Sequence, residues 1–330
     1  MLPTKKVPES LIIAGLFLVC LTGWGIDQYS SQAFVLVVVA FCSLAFVFRD
    51  KLLAAAGAYL ACQYMFLFAA ASFGVYPGEV AVVAADSLFF GGALLVIYAG
   101  IRYGGIPADK WMNWICILAT VLAAIGLVQY WRVGSASATL GCTNYLAAFL
   151  AISGPFFFRR KWWMLLGIVI PCLYATNTAT AIAAFTMAVG FFFYGKLGMW
   201  AAFAYGLLYF LIFKHPSSLF ERFSYWIDAA GKLGGHVERL IFGVGPGILW
   251  QADNMLHSEY AYAIWNFGII GLIIGGLYAF RSVKLFSDRR ITAAVIAILV
   301  DCFGNHLFHT APTAFLAVAV FALNDRKLEE

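Results

Sequence analysis

Charge is what this chain has least of. Only 11% of its 330 residues are Asp, Glu, Lys or Arg, whereas 63% are hydrophobic, and the mean hydropathy is +0.88. Soluble domains carry roughly 25% charged residues, so a soluble fold is excluded and a polytopic membrane protein is expected. Cysteine chemistry is missing too. Cys20, Cys42, Cys62, Cys116, Cys142, Cys172 and Cys302 are scattered with no Cys-x-x-Cys pair, which suggests neither a disulfide framework nor a zinc site. There is no Asp-x-Asp, which argues against a metal-bound nucleotide-sugar donor. No metal or cofactor is expected. The basic start at Lys5-Lys6 and the apolar run behind it lack a small-residue cleavage site, so that run reads as a retained span rather than a signal peptide.

What is present is apolar sequence in runs. They fall at 10–26, 32–48, 52–73, 80–101, 111–131, 144–158, 162–175, 178–194, 197–213, 257–280, 290–306 and 308–323. The expected fold is therefore an all-α bundle of about twelve membrane-spanning helices, with residues 1–330 forming a single integral membrane domain. The runs 144–158 and 308–323 are shorter than the ~20 residues of an upright span, and are candidates for re-entrant or broken helices. Lys and Arg concentrate on alternate connections: Arg49 and Lys51, Arg102 and Lys110, Arg159 to Lys161, Lys196, and Arg281 to Arg290. Basic residues stay on the cytoplasmic side. Both termini are then cytoplasmic, and the segment 214–256 is a large external loop. This orientation accounts for the net charge of +5 without a nucleic-acid partner. Trp24, Tyr29, Trp111, Trp114, Tyr130, Trp131, Trp162 and Trp163 stand near span ends, where interfacial aromatic belts lie.

Polar chemistry collects on one side. His215, His236, His257, His306 and His309 all fall on the external side. Asp86 and Asp301 lie in outer halves of spans, Asp86 about 9 Å deep at ~1.5 Å per residue. Such one-sidedness suits an enzyme or binding site at the outer leaflet better than a transport path, which needs ionisable groups near the midplane. The simplest role for the two acids is to brace helices by hydrogen bonding. His306-x-x-His309 has metal-ligand spacing but no identifiable third ligand.

The external loop has structure of its own. Ser218-Leu-Phe-Glu221 reads as a capping box, and Phe220, Phe223, Ile227 and Ala230 recur at helical spacing before Gly234-Gly235 stops the helix. An amphipathic helix on the outer surface is expected. Gly243-Val-Gly245-Pro-Gly247 follows as a tight return turn whose N–H groups could face an anion. It lacks the Gly-Lys-Ser/Thr of a nucleotide P-loop. Then come His257-Ser258 and, nine residues on, Gly268-Ile-Ile-Gly271. Gly271-x-x-x-Gly275 reads as a close helix-packing face.

In that order these motifs resemble the O-antigen ligase and O-antigen polymerase superfamily. The His-Ser-x9-Gly-x-x-Gly spacing is similar to the ligases in particular. Arg222-x-x-Tyr225-Trp226 resembles the Arg/Trp signature at the start of the same loop, and Gly141-Cys-Thr-Asn144-Tyr145-Leu146 the Asn-containing beginning of a middle span. The motif matches cover about 141–275. One departure stands out: where family members carry Ser-Arg, this chain has Thr176-Asn177-Thr178-Ala179-Thr180. Arg132 and Lys214 are the nearest external basic residues.

The resemblance implies glycan transfer from undecaprenyl diphosphate to an acceptor hydroxyl on a lipid or glycan, ligase-like or polymerase-like. His257 would be the general base, and Arg222, Arg132 and Arg239 the diphosphate contacts. Asn144, Trp226, Gly243, Gly245, Gly247, Ser258, Gly268 and Gly271 would support them. Histidine suits a base because its neutral form is plentiful near pH 7, and arginine suits diphosphate because its fork meets two oxygens. The alternatives are a transporter or flippase, and a non-catalytic relative of the enzyme.

Overall fold

The structure, a computed structural model, describes residues 78–104, 106–159, 161–213, 217–244, 258–284, 288–305 and 307–326. The spans expected at 10–26, 32–48 and 52–73 lie outside the described residues. Among the described residues the fold is all helical: α1 (Gly78–Tyr103), α2 (Ala108–Val133), α3 (Thr143–Ser153), α4 (Leu166–Ala175), α5 (Ala179–Phe213), α6 (Ser217–Gly234), α7 (Val237–Phe242), α8 (Glu259–Lys284), α9 (Arg289–Asp301) and α10 (Ala311–Arg326). Among the described residues, three stretches are long and apolar enough to cross a membrane: Ala108–Val133, Ala179–Tyr205 and Glu259–Leu277.

The short α3 is the hub. Every residue from Leu146 to Ser153 is buried, because α3 packs against α2, α5, α9 and α10. A helix that is apolar all round must be enclosed in this way. The expected broken helix at 144–158 is found: α3 gives way to a 3-10 turn at Gly154–Phe157. On α2, Trp111, Met112, Ile115, Leu118, Leu122 and Gly126 face inward, while Trp114, Val121 and Val128 stay exposed on the other side. Inward and outward faces are both apolar, as lipid on one side and protein on the other require.

The expected pair of runs 178–194 and 197–213 appears as α5 with a reversal at Gly195. A Cβ on Gly190 would stand 3.1 Å from the Cβ of Ala202. In a straight helix those residues are about 18 Å apart, so the chain folds back on itself. Two other runs depart from expectation. The run 290–306 ends as a helix at Asp301, and 308–323 becomes a 3-10 turn at Leu307–His309 followed by α10. Asp301 is therefore at a helix end, not embedded a few turns inside a span. Among the described residues, a Cβ on Gly275 would meet nothing within 4 Å, so no close packing partner is found there.

The bundle has two chemically different ends. At one, Asp109 at the start of α2 pairs with Arg159 at 3.1 Å and Arg290 at 3.6 Å, and Asp288 caps α9 through the Arg290 N–H at 2.9 Å. Asn113 accepts from Trp162 Nε1 at 2.8 Å. At the same end Arg102 on α1 lies 3.7 Å from Asp325 on α10, both almost fully buried. Tyr98 Oη donates to Asp325 and accepts from Arg102 at 3.2 Å, and Arg326 donates to the Ile106 carbonyl. This end gathers Arg102, Arg159, Arg290 and Arg326; the other holds amides, hydroxyls, two acids and, in the last turn of α2, the exposed Arg132.

Removing one partner of a buried ion pair strands the other charge, at a cost of about 3–5 kcal/mol. Asp325→Ala is accordingly expected to lower the thermal unfolding midpoint in detergent markedly. The exposed Asp228→Ala on α6 should leave it unchanged.

Candidate functional site

At the second end four helices bring their polar residues together. Thr178, just ahead of α5, donates through Oγ1 to Asn144 Oδ1 in the first turn of α3 at 3.1 Å. Asn305, past the end of α9, donates through Nδ2 to Thr180 Oγ1 at 3.0 Å and to Asp301 Oδ1 at 2.7 Å. The bracing role expected of Asp301 is thus met by a hydrogen bond one turn along the chain. Asn177, between the two threonines, is exposed and takes φ 54°, a left-handed conformation that Asn tolerates better than most residues.

The start of α8 is tied to the same place. Ser258 Oγ accepts from the Ala261 N–H at 3.5 Å, at the distance limit of a capping bond, and donates to the Cys302 carbonyl at 3.4 Å. The Glu259 N–H donates to the same carbonyl at 2.9 Å. Glu259 Oε1 accepts from the Phe308 N–H at 2.6 Å, and Tyr260 Oη donates to the Leu299 carbonyl at 2.7 Å. Together these bonds fix the helix start against the end of α9. His257 immediately precedes this anchored turn and is itself outside the described residues, as are Gly245, Gly247, Lys214 and His306.

The loop docks on α8 through its glycines. Gly243 has φ 81° and ψ 178° and Gly268 has φ 63° and ψ −164°, a region essentially reserved for glycine. They meet backbone to backbone. A Cβ on Gly268 would collide with the Ile241 carbonyl and stand 2.6 Å from the Gly243 nitrogen, and a Cβ on Gly243 would collide with Asn266. The Val244 N–H donates to the Trp265 carbonyl at 2.8 Å. Two motifs well separated in the chain therefore form one joint. Gly271 serves the bend locally, since a Cβ there would collide with the Phe267 side chain.

Above the joint, α6 covers α8. Leu233 packs with Tyr262 and Trp265, and Tyr225, Trp226, Ala229 and Val244 close around them. The Trp226 ring meets Phe303, directly after α9, edge-on at 5.4 Å. The helix and its stop at Gly234 are as expected. Phe223 and Ile227, on the apolar stripe read from the sequence, are exposed, while Tyr225 and Trp226 close on Tyr262 and Trp265 of α8.

The expected cations are distributed. Arg222 stands in α6, one turn before Trp226. Arg239 is half-buried in α7, and its carbonyl accepts the Gly243 N–H at 2.8 Å. Arg132 is exposed in the last turn of α2, and Gln129 beside it braces the next loop by donating to the Ala138 carbonyl at 3.0 Å. The structure brings Asn144 and Ser258 to the polar end and joins Gly243 to Gly268; no hydrogen bond or ion pair among the described residues draws Arg132 or Arg239 to them. His236 lies 3.1 Å from Glu238. Glu238's own backbone N–H at the start of α7, and then His236, hold its carboxyl below the usual range.

Sequence reasoning passed over Glu259, Asn305, Thr178 and Thr180 as members of the site. The available signal was the spacing: Asp301 and Asn305 are four apart, and three threonines alternate in Thr176–Thr180 in otherwise apolar surroundings. No metal-binding group of three or more His, Cys, Asp or Glu occurs among the described residues. A scan against protein-family models matches none to this chain, and no curated protein matches it.

Gly268→Ala forces alanine into a glycine-only conformation, costing about 1–3 kcal/mol before the collision with Ile241 is counted. It is expected to undock the loop, read as faster proteolysis between 236 and 257. Gly275→Ala, in open space, should cleave at the parental rate.

Proposed function

We propose that the chain is a metal-independent glycosyltransferase of the O-antigen ligase or polymerase type. It would move a glycan from undecaprenyl diphosphate to an acceptor hydroxyl at the external face of a bacterial cytoplasmic membrane. The observation that carries this reading is the joint between Gly243 and Gly268, together with the anchored turn at Ser258. Gly243, Gly268 and Ser258 each have a structural role, and these roles constrain the chain on either side of His257.

The chemistry follows from the bond that breaks. The acceptor oxygen attacks the anomeric carbon while the bond from that carbon to the diphosphate oxygen opens. The acceptor proton goes to His257, and the departing diphosphate takes the electron pair. Its charge calls for cations, supplied here by Arg222 with Arg239 or Arg132. Asn144, Asp301 and Asn305 act as positioning residues that hold the ends of α3, α5 and α9 together. In this chain Thr178 and Thr180 hold that junction through neutral hydrogen bonds, where the family has arginine. The cationic role therefore shifts to the loop.

General-base removal costs about 100-fold or more in rate. His257→Ala is expected to abolish transfer in cells without a paralogue, on a gel of surface glycans, with the protein still present in the membrane. Arg222→Ala should do the same and Arg222→Lys should restore part of the activity. Loss of all lipid-linked polymer on deletion assigns a ligase, and a single remaining repeat unit assigns a polymerase. Unchanged glycans in His257→Ala, or movement of an unaltered substrate across liposomes by the purified protein, would replace this reading with a transporter.

A further inference from the structure

The second half of α8 provides a ruler for the loop. From Ile269 to Lys284 the helix is regular past its one break at Gly268, and Arg281 is the first charge met along it after Glu259. The stretch from Gly268 to Arg281 rises about 20 Å. A bilayer's hydrocarbon layer is about 30 Å thick. With Arg281 at one boundary, Gly268 is then inside the layer, about 10 Å short of the opposite boundary. The end of α7 is at the same level, because Ile241 and Gly243 touch Gly268 through the backbone.

We infer that α7 and the turn at Gly243 are immersed in the bilayer, with lipid acyl chains as the occupant of their exposed apolar face. Val237, Leu240, Ile241 and Phe242 are 69%, 37%, 38% and 52% exposed, and nothing in their chemistry suits water. The surface continues on α8 itself, where Ile269, Leu272, Ile273 and Leu277 are exposed below them. Immersion demands that backbone groups be satisfied within the protein, and four N–H groups of this segment are. Leu240 and Arg239 donate to the His236 carbonyl, Gly243 to Arg239, and Val244 to Trp265. The charged start of the helix also fits. α7 is about 9 Å long, which is enough for the His236–Glu238 pair to reach the boundary, with Phe242 inside, when the helix rises toward it. The inference requires α8 to cross a bilayer and is independent of glycan transfer.

Fluorescence depth measurement tests it on the full chain. Phe242→Cys, Leu240→Cys and His236→Cys are made separately in a cysteine-free background that unfolds at the parental temperature. Each is labelled with an environment-sensitive fluorophore and reconstituted into phosphatidylcholine vesicles with or without nitroxide on the acyl chains. Acyl-chain nitroxide is expected to quench the labels at 242 and 240 at least about twofold more than the label at 236, with blue-shifted emission. Quenching by aqueous iodide at 242 and 240 equal to that at 236 would place the loop above the bilayer and overturn the inference. Shielding from both quenchers would mean that protein covers the face, and would overturn it equally. Agreement between positions 240 and 242 guards against a local effect of either substitution.

Discussion

One backbone contact, Gly243 against Gly268, sets the position of the loop on α8 and of the aromatic cover above it. Any side chain at either glycine would push the loop away from α8. With both chains bare, the Trp265 carbonyl receives the Val244 N–H while the helix turns at Gly268. The aromatic cover of Tyr225, Trp226 and Leu233 then has a surface to close on. That contact holds the loop at α8 from below, and the Ser258 and Glu259 bonds hold the helix start from above. The stretch containing His257 is spanned between two fixed points.

The two ends of the bundle use opposite means of cohesion. At one end, full charges meet: Arg102 with Asp325, Arg159 and Arg290 with Asp109. Such pairs are demanding in low dielectric and hold geometry by the penalty of separating them. At the other end neutral donors meet amide, hydroxyl and carboxylate acceptors: Thr178 to Asn144, Asn305 to Thr180 and Asp301, and the Phe308 N–H to Glu259. The proposed chemistry is placed at this end.

Much of this was legible from spacing and composition. The all-helical membrane character followed from scarcity of charge, the hairpin at Gly195 from two runs separated by Gly195-Lys196, and the loop helix from its stop at Gly234. The contact of α6 with α8 was not legible, because periodicity marks the stripe of Phe220, Phe223, Ile227 and Ala230 and says nothing of what Tyr225 and Trp226 meet. The early end of α9 at Asp301 was hidden for a related reason. Hydropathy carries on through Cys302 and Phe303, whereas the Asp301–Asn305 bond closes the helix. At the site, the glycines and Ser258 could be picked out by motif. The partnership of Asn144 with Thr178 could not, since 34 residues separate them and only the fold joins them.

The clasp between α1 and α10 bears on how the protein is made. Tyr98 and Asp325 are 227 positions apart, and Asp325 belongs to α10. Domains assemble as the chain emerges, N-terminal parts first. Arg102 is therefore made long before its partner exists. The clasp closes only when α10 arrives, so a chain cut short of α10 carries Arg102 without its carboxylate.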